Sequence, residues 1–123
     1  MRSRLLPLLI GALTVPFSTT NTFAANDCDR ACLRTMLDQY LNAVIKHDPA
    51  AAPLFLGFRQ TENATVAKLG TGLWKTATAL GQVQRRYFDA VSGQAGYFGL
   101  IEESGNPAIV TLRLKVENRK SVV

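Results

Sequence analysis

The strongest constraint on the fold is one apolar stripe followed by a change of period. Leu33, Met36, Leu37, Tyr40, Leu41, Val44 and Ile45 recur in alternating steps of three and one, so all lie on one side of a helix. Arg34, Asp38 and Asn42 fall on the opposite side, and Arg34 and Asp38 are spaced as an exposed i,i+4 ion pair. Asp27 can cap the start, Lys46 and His47 suit the negative end of the helix dipole, and Pro49 ends the element. The pattern predicts a helix over Cys28–His47. Asp48-Pro49 then reads as a cap with proline in the first position of a short turn closed by Pro53.

After Phe58 the period drops to two. Phe58 to Asn63 alternates as a short strand, and Leu73-Trp74-Lys75 reads as a turn of helix after the Gly70-Thr71-Gly72 break. Val83–Asp89 and Gln94–Glu102 read as strands separated by a Ser92-Gly93 turn. Ser104-Gly105-Asn106-Pro107 is a strong turn signal, and the alternation from Ala108 to Glu117 is the clearest strand of all. A long N-terminal helix packed with short helices on a later antiparallel sheet makes one α+β domain.

The first residues form a separate unit. Arg2 and Arg4 precede an apolar run, and Thr22 and Ala24 are small residues suited to a cut after Ala24. These are the parts of a secretory signal peptide over 1–24, leaving a domain over 25–123 that is secreted. A membrane anchor is the alternative, but Leu5 to Phe17 contains two prolines and is too short to cross about 30 Å at 1.5 Å per residue. The expectation is no membrane association once the leader is removed. Export suits a Cys28–Cys32 disulfide, since helical i,i+4 positions put the Cα atoms about 6.2 Å apart, with two free thiols as the alternative. Asn63-Ala64-Thr65 is an N-glycosylation sequon, which marks the chain as a candidate glycoprotein.

Composition narrows the function. Of 14 cations against 9 acids, Arg2 and Arg4 belong to the leader, so the remaining excess is small and scattered, which argues against nucleic acid as a partner. One His and two Cys leave no ordinary four-ligand zinc site, so no metal or other cofactor is expected. Gly70-Thr71-Gly72 lacks the third glycine of a dinucleotide loop, and Trp74 stands where a phosphate loop ending in Lys75-Thr76 needs glycine.

The run Leu37-Asp38-Gln39-Tyr40-Leu41-Asn42-Ala43-Val44-Ile45-Lys46-His47-Asp48-Pro49 resembles the opening helix of the SnoaL-like, nuclear-transport-factor-like cone folds. Thr61-Glu62-Asn63, Leu69 to Trp74 and Arg113 to Glu117 are closer still to an uncharacterised subfamily of secreted proteins. The resemblance spans about residues 29–120. It implies a curved sheet wrapped by helices around a conical pocket, as in ketosteroid isomerases, polyketide cyclases, dehydratases and many pure binding domains. Such domains carry one more strand after Arg113–Glu117. Its apparent loss here would leave an apolar edge that a partner must cover, a second copy paired through the sheet being one such partner.

The resemblance also nominates site residues. Tyr40 matches the oxyanion tyrosine of the isomerases, with a core aromatic as the alternative. Glu62 and Asn63 fall near the isomerase base; if Asn63 carries a glycan it points outward and strand alternation turns Glu62 inward as the candidate acid–base carboxylate, a solvated strand acid being the alternative. A direct match would need Asp at Asn63. Trp74 gates or lines the pocket, or plugs the core. Tyr87 and Asp89 share a face and could reach the cone, with a surface pair as the alternative. Arg113 holds an anionic ligand or pairs with Glu102 or Glu117. His47 reads as a solvated dipole partner. The expected function is a small-molecule-binding domain for an apolar ligand. The alternatives are an enzyme of the isomerase, cyclase or dehydratase type and a non-catalytic interaction protein.

Overall fold

The computed structural model describes residues 27–117 and 121–122; the leader read over 1–24 lies outside them. The elements run α1 (Arg30–Ile45), a 3-10 turn (Pro49–Ala51), β1 (Gln60–Glu62), β2 (Thr65–Ala67), α2 (Leu73–Thr76), β3 (Ala77–Asp89), β4 (Gln94–Glu103), β5 (Asn106–Glu117) and β6 (Ser121–Val122). β3-β4-β5-β6 form an antiparallel sheet in that order, and β1 and β2 form a separate hairpin. The chain is α+β, one helix lying on a curved antiparallel sheet.

Helix α1 is shorter than its stripe predicts at both ends, for capping reasons. Asp29, not Asp27, is the N-cap, its Oδ1 accepting from the Cys32 N–H at 2.8 Å. Cys28 therefore stands outside the helix, and its Cα comes to 5.1 Å from that of Cys32, closer than two helical positions would be. The disulfide forms, and Cys28 is fully buried. At the other end the His47 N–H donates to Val44 O and the Asp48 N–H to Ala43 O, both at 3.0 Å. This pair of hydrogen bonds closes the helix with His47 at φ +56°, where glycine is usual. Asp48 then caps the 3-10 turn by accepting from the Ala50 N–H at 3.1 Å, as Asp48-Pro49 predicts.

The stripe buries Leu33, Leu37, Tyr40, Leu41 and Val44 against Ala77, Ala95, Tyr97, Ile101, Leu114 and Val116. Each large side chain so buried contributes about 1.5–3 kcal/mol. Asp38 does not pair with Arg34. It accepts from Arg86 at 3.2 Å, while Arg34 lies 5.2 Å over the Phe88 ring, because β3 turns Arg86 and Phe88 toward the helix. The helix leans over β3 and β4 and touches β5 least. That offset leaves Val110 and Leu112, on the inner face of β5, only partly covered.

Curvature enters at a bulge. Leu80 faces Ile101 and Gln84 faces Gly99, so Gly81–Val83 stand opposite Leu100 alone. Gly81 is buried there, and a Cβ on it would run into the side chain and backbone of Leu100. Tyr97 Oη ties the bulge by donating to Leu100 O at 2.9 Å.

Two two-residue hairpins share one turn geometry. Ser104-Gly105 joins β4 to β5 and Asn63-Ala64 joins β1 to β2, all four residues having positive φ. Asn106 and Pro107, read as turn, already belong to β5; Asn63, read as strand, belongs to a turn. The strand Thr65–Ala67 was not foreseen, because a three-residue strand is too short to show a period. Ala64 sits at φ +63°, a region costing an L-residue about 1 kcal/mol. Ala64→Gly restores Asn-Gly, and urea unfolding is expected to show a stabilisation of about 1 kcal/mol.

Candidate functional site

The partly covered inner face of β5 and the β1–β2 hairpin bound a cleft of about 610 Å³. Its inner wall is aromatic. Tyr40 from α1 meets Trp74 from α2 edge-on at 5.3 Å and Phe58 at 6.3 Å, and all three line the cleft.

The one-turn helix α2 organises this wall. Trp74 is 3% exposed, and its indole N–H donates to Gln60 Oε1 at 2.9 Å. Gln60 Nε2 in turn donates to Lys68 O at 2.9 Å, so the hairpin holds the indole. The Trp74 carbonyl accepts from His47 Nδ1 at 2.6 Å. His47 is thus no free dipole partner. A carbonyl can only accept, so Nδ1 carries the proton and the cap of α1 is tied to α2.

Two carboxylates flank the same short helix. Glu62 Oε2 accepts from the Leu73 N–H at 3.3 Å, and Glu103 Oε1 accepts from Thr76 Oγ1 at 2.6 Å. Gly72, at φ +60°, lets Glu62 lie against the backbone, where any Cβ would collide with the carboxylate. Neither acid has a cationic partner among the described residues, whose ion pairs are Arg86–Asp38 and Lys115–Glu117. Glu62 and Tyr40 line one cleft and are close enough that the Glu62 charge acts on the phenol. Burial pushes the Tyr40 hydroxyl up to about 12; the Trp74 N–H opposes the rise and Glu62 adds to it.

The remaining nominated residues divide. Arg113 lines the cleft from the exposed face of β5, and Glu117 is taken by Lys115 at 3.1 Å rather than by Arg113. Tyr87 does not join the site. It is 62% exposed on the outer face of β3, since the inward positions there are Arg86 and Phe88. Asp89 also stays outside the cone, where it accepts from Val91 N, Ser92 N and Ser92 Oγ at the β3–β4 turn. Asn63 is exposed at its hairpin turn and borders the cleft. Gln60, Phe58 and Glu103 were missed as site residues. Glu103 was within reach of strand parity, because Ala95, Tyr97 and Ile101 face inward at the same period.

Comparison with family models, with curated proteins and with solved structures gives no match.

The raised Tyr40 value makes an alkaline prediction. Between pH 10 and about 12 the unfolded phenol has lost its proton and the folded one keeps it. The unfolded state then binds fewer protons, so stability falls with rising pH across that window, by roughly 2–3 kcal/mol. Urea unfolding against pH should show this fall in the wild type, and Tyr40→Phe should reduce it and remove a phenolate absorbance step near pH 12, leaving the part due to Tyr97, whose phenol burial also raises.

Proposed function

We propose that this chain is a secreted, cone-shaped binding domain whose cleft holds a small molecule with an apolar body. The observation that carries the reading is the Tyr40 hydroxyl. Tyr40 is 5% exposed, lines the cleft, and meets the Trp74 ring edge-on at 5.3 Å. No acceptor for the Tyr40 proton is found among the described residues, and since no buried polar atom there is left without a partner, the hydroxyl is open to the cleft. A ligand oxygen would satisfy it, and a ring on the same ligand would pack on Trp74 and Phe58. The cleft volume lies in the range of small-molecule sites. The resemblance to SnoaL-like proteins supports the cone, and the charged start, apolar run and small-residue exit within residues 1–24 support the secretory leader and export. Pairing of two copies through the sheet belongs to the same reading, supported by exposed Val83, Tyr87, Phe98 and Ile109 on the outer face.

A second reading has one specific support, the proximity of Glu62 to Tyr40. In an isomerase- or dehydratase-type enzyme Glu62 would take a proton from carbon beside a carbonyl, and Tyr40, protonated up to about pH 12, would donate to the developing oxyanion.

Trp74 is the only tryptophan and sits in the cleft, so its emission reports occupancy. Acetophenone carries a ring and one acceptor, and is expected to quench it saturably. Tyr40→Phe should weaken that binding about fivefold to tenfold, the worth of one hydrogen bond. Quenching linear in concentration, with no effect of Tyr40→Phe, would overturn the binding reading. Exchange of the ketone's α-protons with deuterated water, lost in Glu62→Gln, would favour the enzyme.

A further inference from the structure

The charged groups that border the cleft are sorted by depth. Glu62 and Glu103 are half-buried beside the aromatic wall, while Arg59 and Arg113 stand exposed. Neither guanidinium reaches either acid, since the ion pairs among the described residues are Arg86–Asp38 and Lys115–Glu117. The cleft thus has two carboxylates without a cation on its sheltered side, and its own cations in solvent.

The short helix α2 brings the two acids together. Gly72, just ahead of it, lies against the Glu62 carboxylate, an approach that φ +60° and the missing side chain allow. The Gly72 carbonyl is 3.2 Å from Thr76 Oγ1, and that hydroxyl is 2.6 Å from Glu103 Oε1. The Ser104 N–H donates to Thr76 O at 2.9 Å and so pins the end of β4, with Glu103, on the same turn. Glu62 therefore stands at the first residue of one helical turn and Glu103 at its last.

Each acid spends one oxygen on the helix. Glu62 Oε2 takes the Leu73 N–H, and Glu103 Oε1 takes the Thr76 hydroxyl. Glu62 Oε1 and Glu103 Oε2 accept nothing among the described residues. No buried polar atom there lacks a partner, so both oxygens are accessible, in residues that line the cleft. Tyr40 stands in the same place, 5% exposed, with its hydroxyl open to the cleft and close enough to feel the Glu62 charge. A nearly buried phenol without an acceptor calls for a guest, and two carboxylates beside it set the charge of that guest.

We propose that the guest is an organic cation: a protonated amine whose nitrogen is held by Glu62 and Glu103, with its apolar body on Trp74 and Phe58 and an oxygen at the Tyr40 hydroxyl. The inference rests on the reading of the cleft as a seat for an apolar body, and it adds the charge and the residues that receive it. An ammonium only donates, so it matches two oxygens that no donor among the described residues satisfies. Hydrogen bonds between charged partners are about twice as strong as neutral ones. The wall adds to this, because aromatic faces attract cations, tryptophan's most of all. A bare divalent ion is a poorer match, since no third acidic, His or Cys side chain joins the pair among the described residues.

Three ligands of nearly one shape separate the charge from the seat. They are 3-(dimethylamino)propiophenone, a cation at neutral pH; propiophenone, which is neutral; and 3-benzoylpropionate, an anion. Each is titrated into the protein at low and at high salt, with calorimetry and Trp74 emission as readouts. The cation is expected to bind about tenfold more tightly than propiophenone, and the anion more weakly than either. High salt should narrow the advantage of the cation. Glu62→Gln and Glu103→Gln each keep an oxygen for the helix, and each should cut the cation-to-ketone affinity ratio about fivefold. Equal affinity of cation and ketone, or preference for the anion, overturns the charge assignment while the ketone's own binding still supports the seat. Saturable binding of none of the three overturns the seat as well. A cation preference that survives high salt and both substitutions overturns the role of the two acids. The ligand series and its salt dependence are read on the unaltered chain, so they decide even where a substitution unfolds the protein.

Discussion

Trp74 is the point on which the separate pieces of this chain converge. Its ring meets Tyr40 of α1, its indole N–H is held by Gln60 of the hairpin, and its carbonyl is held by His47 at the helix cap. A helix of four residues has almost no stability of its own, since one turn fixes several dihedrals for a single bond. It exists because three neighbours fix its central residue and two carboxylates grip its ends. The hairpin in turn has a strand of three residues on each side, and the Gln60 bonds help dock it. The cleft is therefore a consequence of a tied network, not of one element's shape.

The second determinant is the sideways placement of α1. Had the helix sat centrally, its stripe would have filled the space over β5 and the interior would be solid. The ion pair from Asp38 to Arg86 and the stacking of Arg34 on Phe88 draw the helix toward β3. Tyr97, beneath the Arg86 guanidinium at 5.7 Å, fills the centre of the sheet. The apolar side of β5 is then left to Phe58, Trp74 and whatever enters.

Much of this was legible from the amino-acid order, and the failures have physical causes. The stripe from Leu33 to Ile45 and the alternation from Ala108 to Glu117 each bury one side of a regular element, so period alone locates them. Which of two nearby acids caps a helix is set by backbone angles that period does not report, so Asp29 displaced Asp27 and moved Cys28 off the helix. Tyr87 was misassigned because alternation tells which residues share a face but not which face is inside. Parity fixed by Phe88 against α1 decides that. Tyr40, Glu62, Trp74 and Arg113 do line one cleft, yet the partners that orient them were hidden. Gln60 and His47 act through bonds to residues 14 and 27 positions away, and no local pattern encodes those distances.

The crosslink at the start of α1 has a mechanical consequence. Cys28 is sunk in the core one residue before the cap, and its sulfur is joined to the first turn. Tension arriving from the N-terminal direction is borne by a covalent bridge before it reaches any backbone hydrogen bond. The helix therefore cannot be unwound turn by turn from that end, and whatever is attached upstream can be tugged, trimmed or exchanged without loosening the stripe that supports the aromatic wall.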